Sequence, residues 1–193
     1  MTALRIAITG SPGVGKSTIC AAAEAAGWSV QTVSALADEH DCAEPFDTDD
    51  DARPIDVARL ASALGDIWAA PLLDEAAVTI DGRSPILIDG HMSHLLPTYA
   101  VCVIRCRPDV LEARLRVRDY PEWKVEANVD WEWIGSAWSD EVGGESDERP
   151  AIDIDATSAD AAVGFATLVA WLTAGMPTTA PSDAIDWISR AED

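Results

Sequence analysis

Lysine is nearly missing from this chain of 193 residues. Lys16 and Lys124 are the two lysines among 13 basic residues, set against 34 Asp and Glu, for a formal charge of −21. With so few bases, no positive stripe can follow a phosphate backbone, so charge-driven nucleic-acid binding is not expected and a basic protein partner is. A surface this acidic and lysine-poor suits molar salt, where the Debye length falls to roughly 3 Å and self-repulsion fades. An acidic protein working at ordinary ionic strength is the alternative. Also missing are a signal-peptide core and an Arg-rich transit segment ahead of Arg5-Ile6-Ala7-Ile8. The uncharged stretch Ala161 to Ser182 is cut by Pro177, which leaves it too short for the ~20 apolar residues of a membrane span. Its Phe165, Leu168, Val169, Leu172 and Met176 recur at helical spacing and predict a core-packing helix. Cys20, Cys42, Cys102 and Cys106 form no C-x-x-C pair, and Cys102 and Cys106 are expected to be small buried hydrophobes. These absences lead to the expectation of a cytoplasmic protein.

What is present is a chain with 48% hydrophobic residues, too many for intrinsic disorder and enough for one α/β core without a structural metal. Short apolar runs at 4–9, 28–33, 85–89, 100–105 and 152–155 read as strands. Between them, helical patterns fall at 17–26, near 35–40, from Pro54, at 108–118, at about 121–141 and at 158–174, with more helix preferred beyond Asp66. Strands alternating with helices predict a three-layer α/β fold, a parallel sheet covered on both faces. One domain over 1–173 and a C-terminal tail over 174–193 are expected.

The stretch Gly10-Ser11-Pro12-Gly13-Val14-Gly15-Lys16-Ser17 matches G-x-x-x-x-G-K-[ST] in full, and Thr18 follows. The chemistry needs these residue types at this spacing. Glycines let successive N–H groups turn inward as a nest for phosphate oxygens, Lys16 brings a mobile charge, and Ser17 offers a hydroxyl to Mg²⁺. The helix starting there directs its positive end at the same point. An acidic group is then expected at the end of a neighbouring strand to help hold the metal, and Asp89 ends Ile86-Leu87-Ile88. No N-K-x-D segment exists, which argues against a regulatory GTPase and for an adenine nucleotide.

Asp89-Gly90-His91-Met92-Ser93-His94-Leu95-Leu96-Pro97, followed by Val103-Ile104-Arg105-Cys106-Arg107-Pro108, resembles the isoenzyme-six class of adenylate kinases, the archaeal and eukaryotic relatives of the coilin-interacting nuclear ATPase. Arg114-Leu115, Arg118-Asp119-Tyr120, Glu122, Lys124, Asn128 and Glu132 are similar to that family's lid and the helix after it, and Ala184-Ile185-Asp186-Trp187 to the ends of archaeal members. The resemblance implies a P-loop nucleoside monophosphate kinase fold with a five-stranded parallel sheet, ATP and AMP as substrates, Mg²⁺, and an ATPase activity. It also implies a part in small ribosomal subunit maturation through a basic small-subunit ribosomal protein. By position, Gly13, Val14, Gly15, Lys16, Ser17 and Thr18 would bind ATP, Ser17 and Asp89 the metal. Arg118 would be the lid arginine, His91 would position water beside Asp89, AMP would lie along 33–56, and the short lid would span about 117–127. The family's lid reads R-G-Y, whereas Asp119 stands at the glycine position here.

Several features have a bland reading beside the sharp one. His91 and His94, three apart, lack an evident third ligand for zinc. Arg105, Arg107, Arg114 and Arg118 concentrate near a strand end where transition-state charge would need them, with surface salt pairing as the alternative. Arg53 and Arg59 flank the AMP region, and the residues do not choose between them. Asp47-x-Asp49-x-Asp51 lacks the glycine and glutamate of a calcium loop. Trp131, Ile134 and Trp138 share a helical face and are expected in the core, while Trp123 and Trp133 are candidates for exposed partner anchors. Beside the adenylate kinase reading stand a kinase with another small acceptor and a nucleotide-switched assembly factor.

Overall fold

The computed structural model describes residues 4–47, 52–68, 85–135, 138, 142, 147, 149–158, 160–179 and 183–191. Five strands form one sheet: β1 (Arg5–Thr9), β2 (Ser29–Thr32), β3 (Ile86–Asp89), β4 (Ala100–Arg105) and β5 (Ala151–Asp155). Their order is β2-β3-β1-β4-β5, and every pairing is parallel. Among the described residues the α-helices are α1 (Lys16–Ala25), α2 (Val33–Glu39), α3 (Val57–Ile67), α4 (Pro108–Val117), α5 (Glu122–Trp133), α6 (Ala161–Thr173) and α7 (Trp187–Ala191), and Ser93–Leu95 form a 3-10 turn. The three-layer α/β architecture expected from the alternating pattern is thus present.

Alternation along β4 divides the core. Ala100, Cys102 and Ile104 face a large cluster with Ile6, Ile8, Ile19, Leu111, Leu115 and Leu168, whereas Val101 and Val103 meet Ala7, Val142 and Ala151. A separate cluster packs α2 and α3 through Leu36, Leu60, Leu64 and Trp68 onto Ile88 and Leu96. Both faces of β4 are therefore buried, which is why it reads as a continuous apolar run. All four cysteines are buried thiols, and burial pushes Cys20 up to about 12 and Cys106 up to about 11, as suits inert packing groups.

The helix boundaries follow their caps. Thr32 Oγ1 accepts from Ala35 N at 3.1 Å, Asp56 Oδ1 from Arg59 N at 2.9 Å, and Asp160 Oδ1 from Ala162 N at 2.9 Å. Asp56, not Pro54, opens α3, which begins at Val57. The helix preferred beyond Asp66 ends in the described part at Ile67; the remainder falls in 69–84, outside the described residues. The helix expected over 121–141 stops at Trp133, with Gly135 at φ +62°.

That shorter helix overturns the expected core face. Trp131 is 53% exposed and Ile134 is 67% exposed, while Glu132 between them is 2% exposed. Val125 and Glu132, seven residues apart, are the buried positions of α5, because a buried arginine supplies the carboxylate with a partner. Trp138 alone of the expected trio packs at the core's edge, with its indole N–H bonded to Asp153. Beyond α6 two described residues lie against β5: Thr179 N donates to Ala151 O at 2.8 Å, and Ile185 N to Asp153 Oδ2 at 2.6 Å. Among the described residues no helix is long and apolar enough to cross a membrane.

Candidate active site

The glycine-rich turn leaves the carboxyl end of β1, with β3 and β4 on either side. Gly10 has φ +127°, and a Cβ there would lie 2.2 Å from Ile104 O, so the loop is pressed against β4 as no side chain would allow. Gly13, at φ +89°, sits under Leu115, whose Cδ2 would be 2.9 Å from an added Cβ. Arg114 fastens the loop from the other side, donating to Val14 O at 3.0 Å, Ala156 O at 3.0 Å and Thr157 O at 2.8 Å. Gly15 caps α1 without a side-chain bond, and no acidic residue stands in the first turn. The N–H groups opening α1 are thus available to an anion.

Lys16 curls back over the loop, its Nζ donating to Gly10 O at 2.8 Å and to Ser11 O at 2.9 Å. Burial pulls its ammonium down to about 8, against the opposing pull of Asp89 and Glu132. Ser17 Oγ donates to Asp89 Oδ2 at 2.9 Å. Asp89 ends β3 in register with Ile8 of β1, which is what brings it over the loop. Two residues on, His91 accepts at its carbonyl from Thr9 Oγ1 at 2.8 Å. Partial removal of its ring from water, then the nearby Lys16 charge, hold the imidazole below its ordinary pKa. His94 turns inward instead, its Nδ1 2.7 Å from Thr9 Oγ1. Among the described residues no three His, Cys, Asp or Glu side chains gather to hold a metal.

These groups border a cleft of about 710 Å³. Its floor is Gly10, Ser11, Lys16, Asp89 and His91; Thr32 and Ser34 border one side, and Tyr120, Trp123, Lys124, Asn128 and Trp131 the other. Trp131, expected in the core, is therefore part of the cleft wall. Val14, expected beside phosphate, has its side chain fully buried, so it can serve a ligand through its backbone alone. Thr18 is exposed on the first turn of α1.

The four arginines part company. Arg105 is 2% exposed and paired to Glu132 at 2.7 Å, so it is neither a surface ion-pair residue nor open to the cleft. Arg107 lies exposed against Asp109, and Arg114 is the clamp already described. Arg118 is exposed at the end of α4, outside the cleft lining, and near enough for its charge to oppose that of Lys16. Asp119 follows at φ +57°. That left-handed conformation is the reason a glycine suits the position, and aspartate is among the few residues that tolerate it. Arg53, beside the cleft-lining Ala52, is committed to Asp38 and to Glu44 O, the latter at 2.8 Å.

A phosphate loop between β1 and α1, with an acidic residue at the end of the adjacent strand β3, defines a P-loop NTPase of the kinase type. The family model described as "AAA domain" matches residues 6–135. The chain is 31% identical over 158 residues to the "Putative adenylate kinase" of Methanocaldococcus jannaschii, an alignment covering 81% of this chain and 79% of that one. It is 30% identical over 174 residues to the "Adenylate kinase isoenzyme 6 homolog FAP7" of Saccharomyces cerevisiae, covering 86% and 80%. The "Putative adenylate kinase" of Archaeoglobus fulgidus is 35% identical over 129 residues, a match that spans 67% of this chain and 61% of the relative's length. The chain belongs to this family of adenylate-kinase-like P-loop kinases. Its fold is shared with a gluconokinase of Sinorhizobium meliloti at TM-score 0.51 and 16% identity, covering 91% of this chain and 94% of that one.

Proposed function

We propose that this kinase transfers the γ-phosphoryl group of ATP to AMP. The observation that carries the reading is the convergence of Lys16, Asp89 and His91, with Ser17 bonded to Asp89, on one cleft whose border at Thr32 and Ser34 opens the region expected to take the acceptor. Lys16 and the loop amides hold the β- and γ-phosphates, with Thr18 beside them. Ser17 and Asp89, already within hydrogen-bond distance, form a hydroxyl–carboxylate oxygen set suited to Mg²⁺. Bound there, Mg²⁺ supplies charge neutralisation at the transferring phosphoryl group. Arg118 reaches the site when the segment 117–127 moves inward, and that closure excludes water. Where AMP is absent, His91, held as neutral imidazole, orients a water for slow ATP hydrolysis.

A second reading rests on the charge of −21 and on Trp123, which is exposed at the cleft's rim. On that reading, nucleotide binding also switches contact with a basic small-subunit ribosomal protein, in the cytoplasm of a salt-adapted cell, during small-subunit maturation.

The deciding measurement is ADP formation from ATP with and without AMP in molar KCl, beside other monophosphates. Strong stimulation by AMP alone is expected; slow hydrolysis indifferent to AMP would leave the switch and remove the kinase. A second expectation separates the two activities. His91→Ala lowers AMP-independent hydrolysis by about 10²-fold, the lower end for a positioned acid–base group, and phosphoryl transfer to AMP much less. Equal losses in both assays would exclude the water-orienting role.

A further inference from the structure

Glu132 is a carboxylate almost wholly removed from water, and its two oxygens serve different parts of the molecule. Oε2 accepts the hydroxyl of Ser11, the second residue of the phosphate loop, at 2.9 Å. Oε1 accepts from Arg105 Nε at 2.7 Å, Cys106 N at 3.1 Å and the Trp187 indole N–H at 3.0 Å. Trp187 belongs to the C-terminal segment and is 5% exposed. The same segment is held again by Arg105, which donates to Ile185 O at 2.9 Å, and by Asp153, which accepts from Ile185 N at 2.6 Å. Ser11 is meanwhile tied to the cation of the loop, because its carbonyl accepts from Lys16 Nζ at 2.9 Å. A continuous polar path thus runs from Trp187 through Glu132 and Ser11 to Lys16. In a low-dielectric interior such bonds reinforce one another, so loss of one member is felt by the rest.

We propose that Glu132 is a positioning residue for the phosphate loop, and that docking of the C-terminal segment through Trp187 and nucleotide binding are coupled through this carboxylate. The segment, when docked, orients Glu132, and Glu132 holds Ser11 and the loop in the form that receives phosphate. Coupling between binding events is reciprocal, so a bound nucleotide also tightens the segment. The proposal rests on reading the loop as the ATP site and is independent of which acceptor is used.

Two mild variants of the full chain test it. Trp187→Phe keeps an aromatic ring and loses the N–H; Ser11→Ala loses the hydroxyl and leaves the Arg105 pair whole. ATP affinity is measured by calorimetry in molar KCl with Mg²⁺ and no AMP. Each variant is expected to weaken ATP binding by about 3- to 10-fold, the range of one ordinary net hydrogen bond. The double variant is expected to bind no worse than the weaker single one, because both act through one carboxylate. Hydrogen exchange supplies a readout that a merely structural role would not move: ATP slows exchange over 183–191 in the wild type and not in Ser11→Ala. Unchanged affinity in both variants, effects that multiply, or exchange indifferent to ATP would overturn the coupling. Should Trp187→Phe fail to fold, Ser11→Ala and the exchange comparison decide alone. A wild type without affinity for ATP would instead overturn the reading of the loop itself.

Discussion

Lys16→Ala is expected to lower kcat/KM for phosphoryl transfer by about 10³-fold, the scale reached when one fixed charge-stabilising group is removed from the transferring oxygens. The fold should survive, since Lys16 Nζ bonds to the carbonyls of Gly10 and Ser11 at the cleft and contributes no core packing. Retained turnover in a folded variant would sink the proposed mechanism. The same lysine makes a prediction about protons. Burial holds its free-protein pKa at about 8, so above that pH a growing share of Lys16 is neutral. Polyphosphate beside the amine favours the charged form and raises the pKa. ATP binding between about pH 8 and the raised value should therefore take up a proton at Lys16, while at pH 6 it should not. Calorimetry in buffers of different ionisation enthalpy reads this directly, and Lys16→Ala should abolish the uptake. Without nucleotide the sign for stability follows too. A folded-state pKa of about 8, below the ordinary lysine value of 10.5, means the unfolded chain binds more protons between them. Stability from this group rises with pH across that window.

The phosphate loop was legible because its chemistry is local: eight consecutive residues specify the turn, the cation and the hydroxyl. Asp89 was legible for a related reason, since a carboxylate ending a short apolar run marks a strand's carboxyl end in a parallel sheet. Asp119 stood out as a departure at a glycine position, and its φ of +57° supplies the physical reason. Glu132 is the opposite case. The sequence marks it only as one of the family-like residues after the lid, and nothing in it marks a buried acid. Its partner Arg105 lies 27 residues away, and no periodicity announces a pair made across elements. Burial of that acid turns the face of α5, so Trp131, expected in the core from its spacing with Ile134 and Trp138, stands beside the cleft. Trp187 stood within the family-like segment 184–187, yet a lone indole carries no sign of the acceptor it will meet, here Glu132.

Arg105→Met is expected to destabilise the protein by about 3–5 kcal/mol, the cost of stranding a buried carboxylate by removing its ion partner. Three donors are lost together: Nε to Glu132 Oε1 at 2.7 Å, Nη2 to Glu132 O at 2.8 Å and Nη1 to Ile185 O at 2.9 Å. No lysine could replace this fork, so Arg105→Lys should recover little. For a domain of this size each kcal/mol moves Tm by about 2–4 °C, so a fall of roughly 10 °C is expected. Salt separates this pair from its surface counterparts. Molar KCl screens exposed pairs such as Arg107–Asp109 and Arg116–Glu122, whereas a pair 2% exposed on both sides is screened far less. The penalty should therefore be nearly the same in dilute buffer and in molar KCl, read by thermal unfolding. A loss under about 1 kcal/mol would mean water reaches Glu132 freely, against its burial. The decisive companion is Arg105→Met with Glu132→Leu. Removing both charges lifts the desolvation penalty, so stability should return in large part. ATP affinity should not return with it, because Ser11 has then lost the carboxylate that holds it. Recovery of stability without recovery of binding would separate the structural duty of this buried pair from its hold on the phosphate loop.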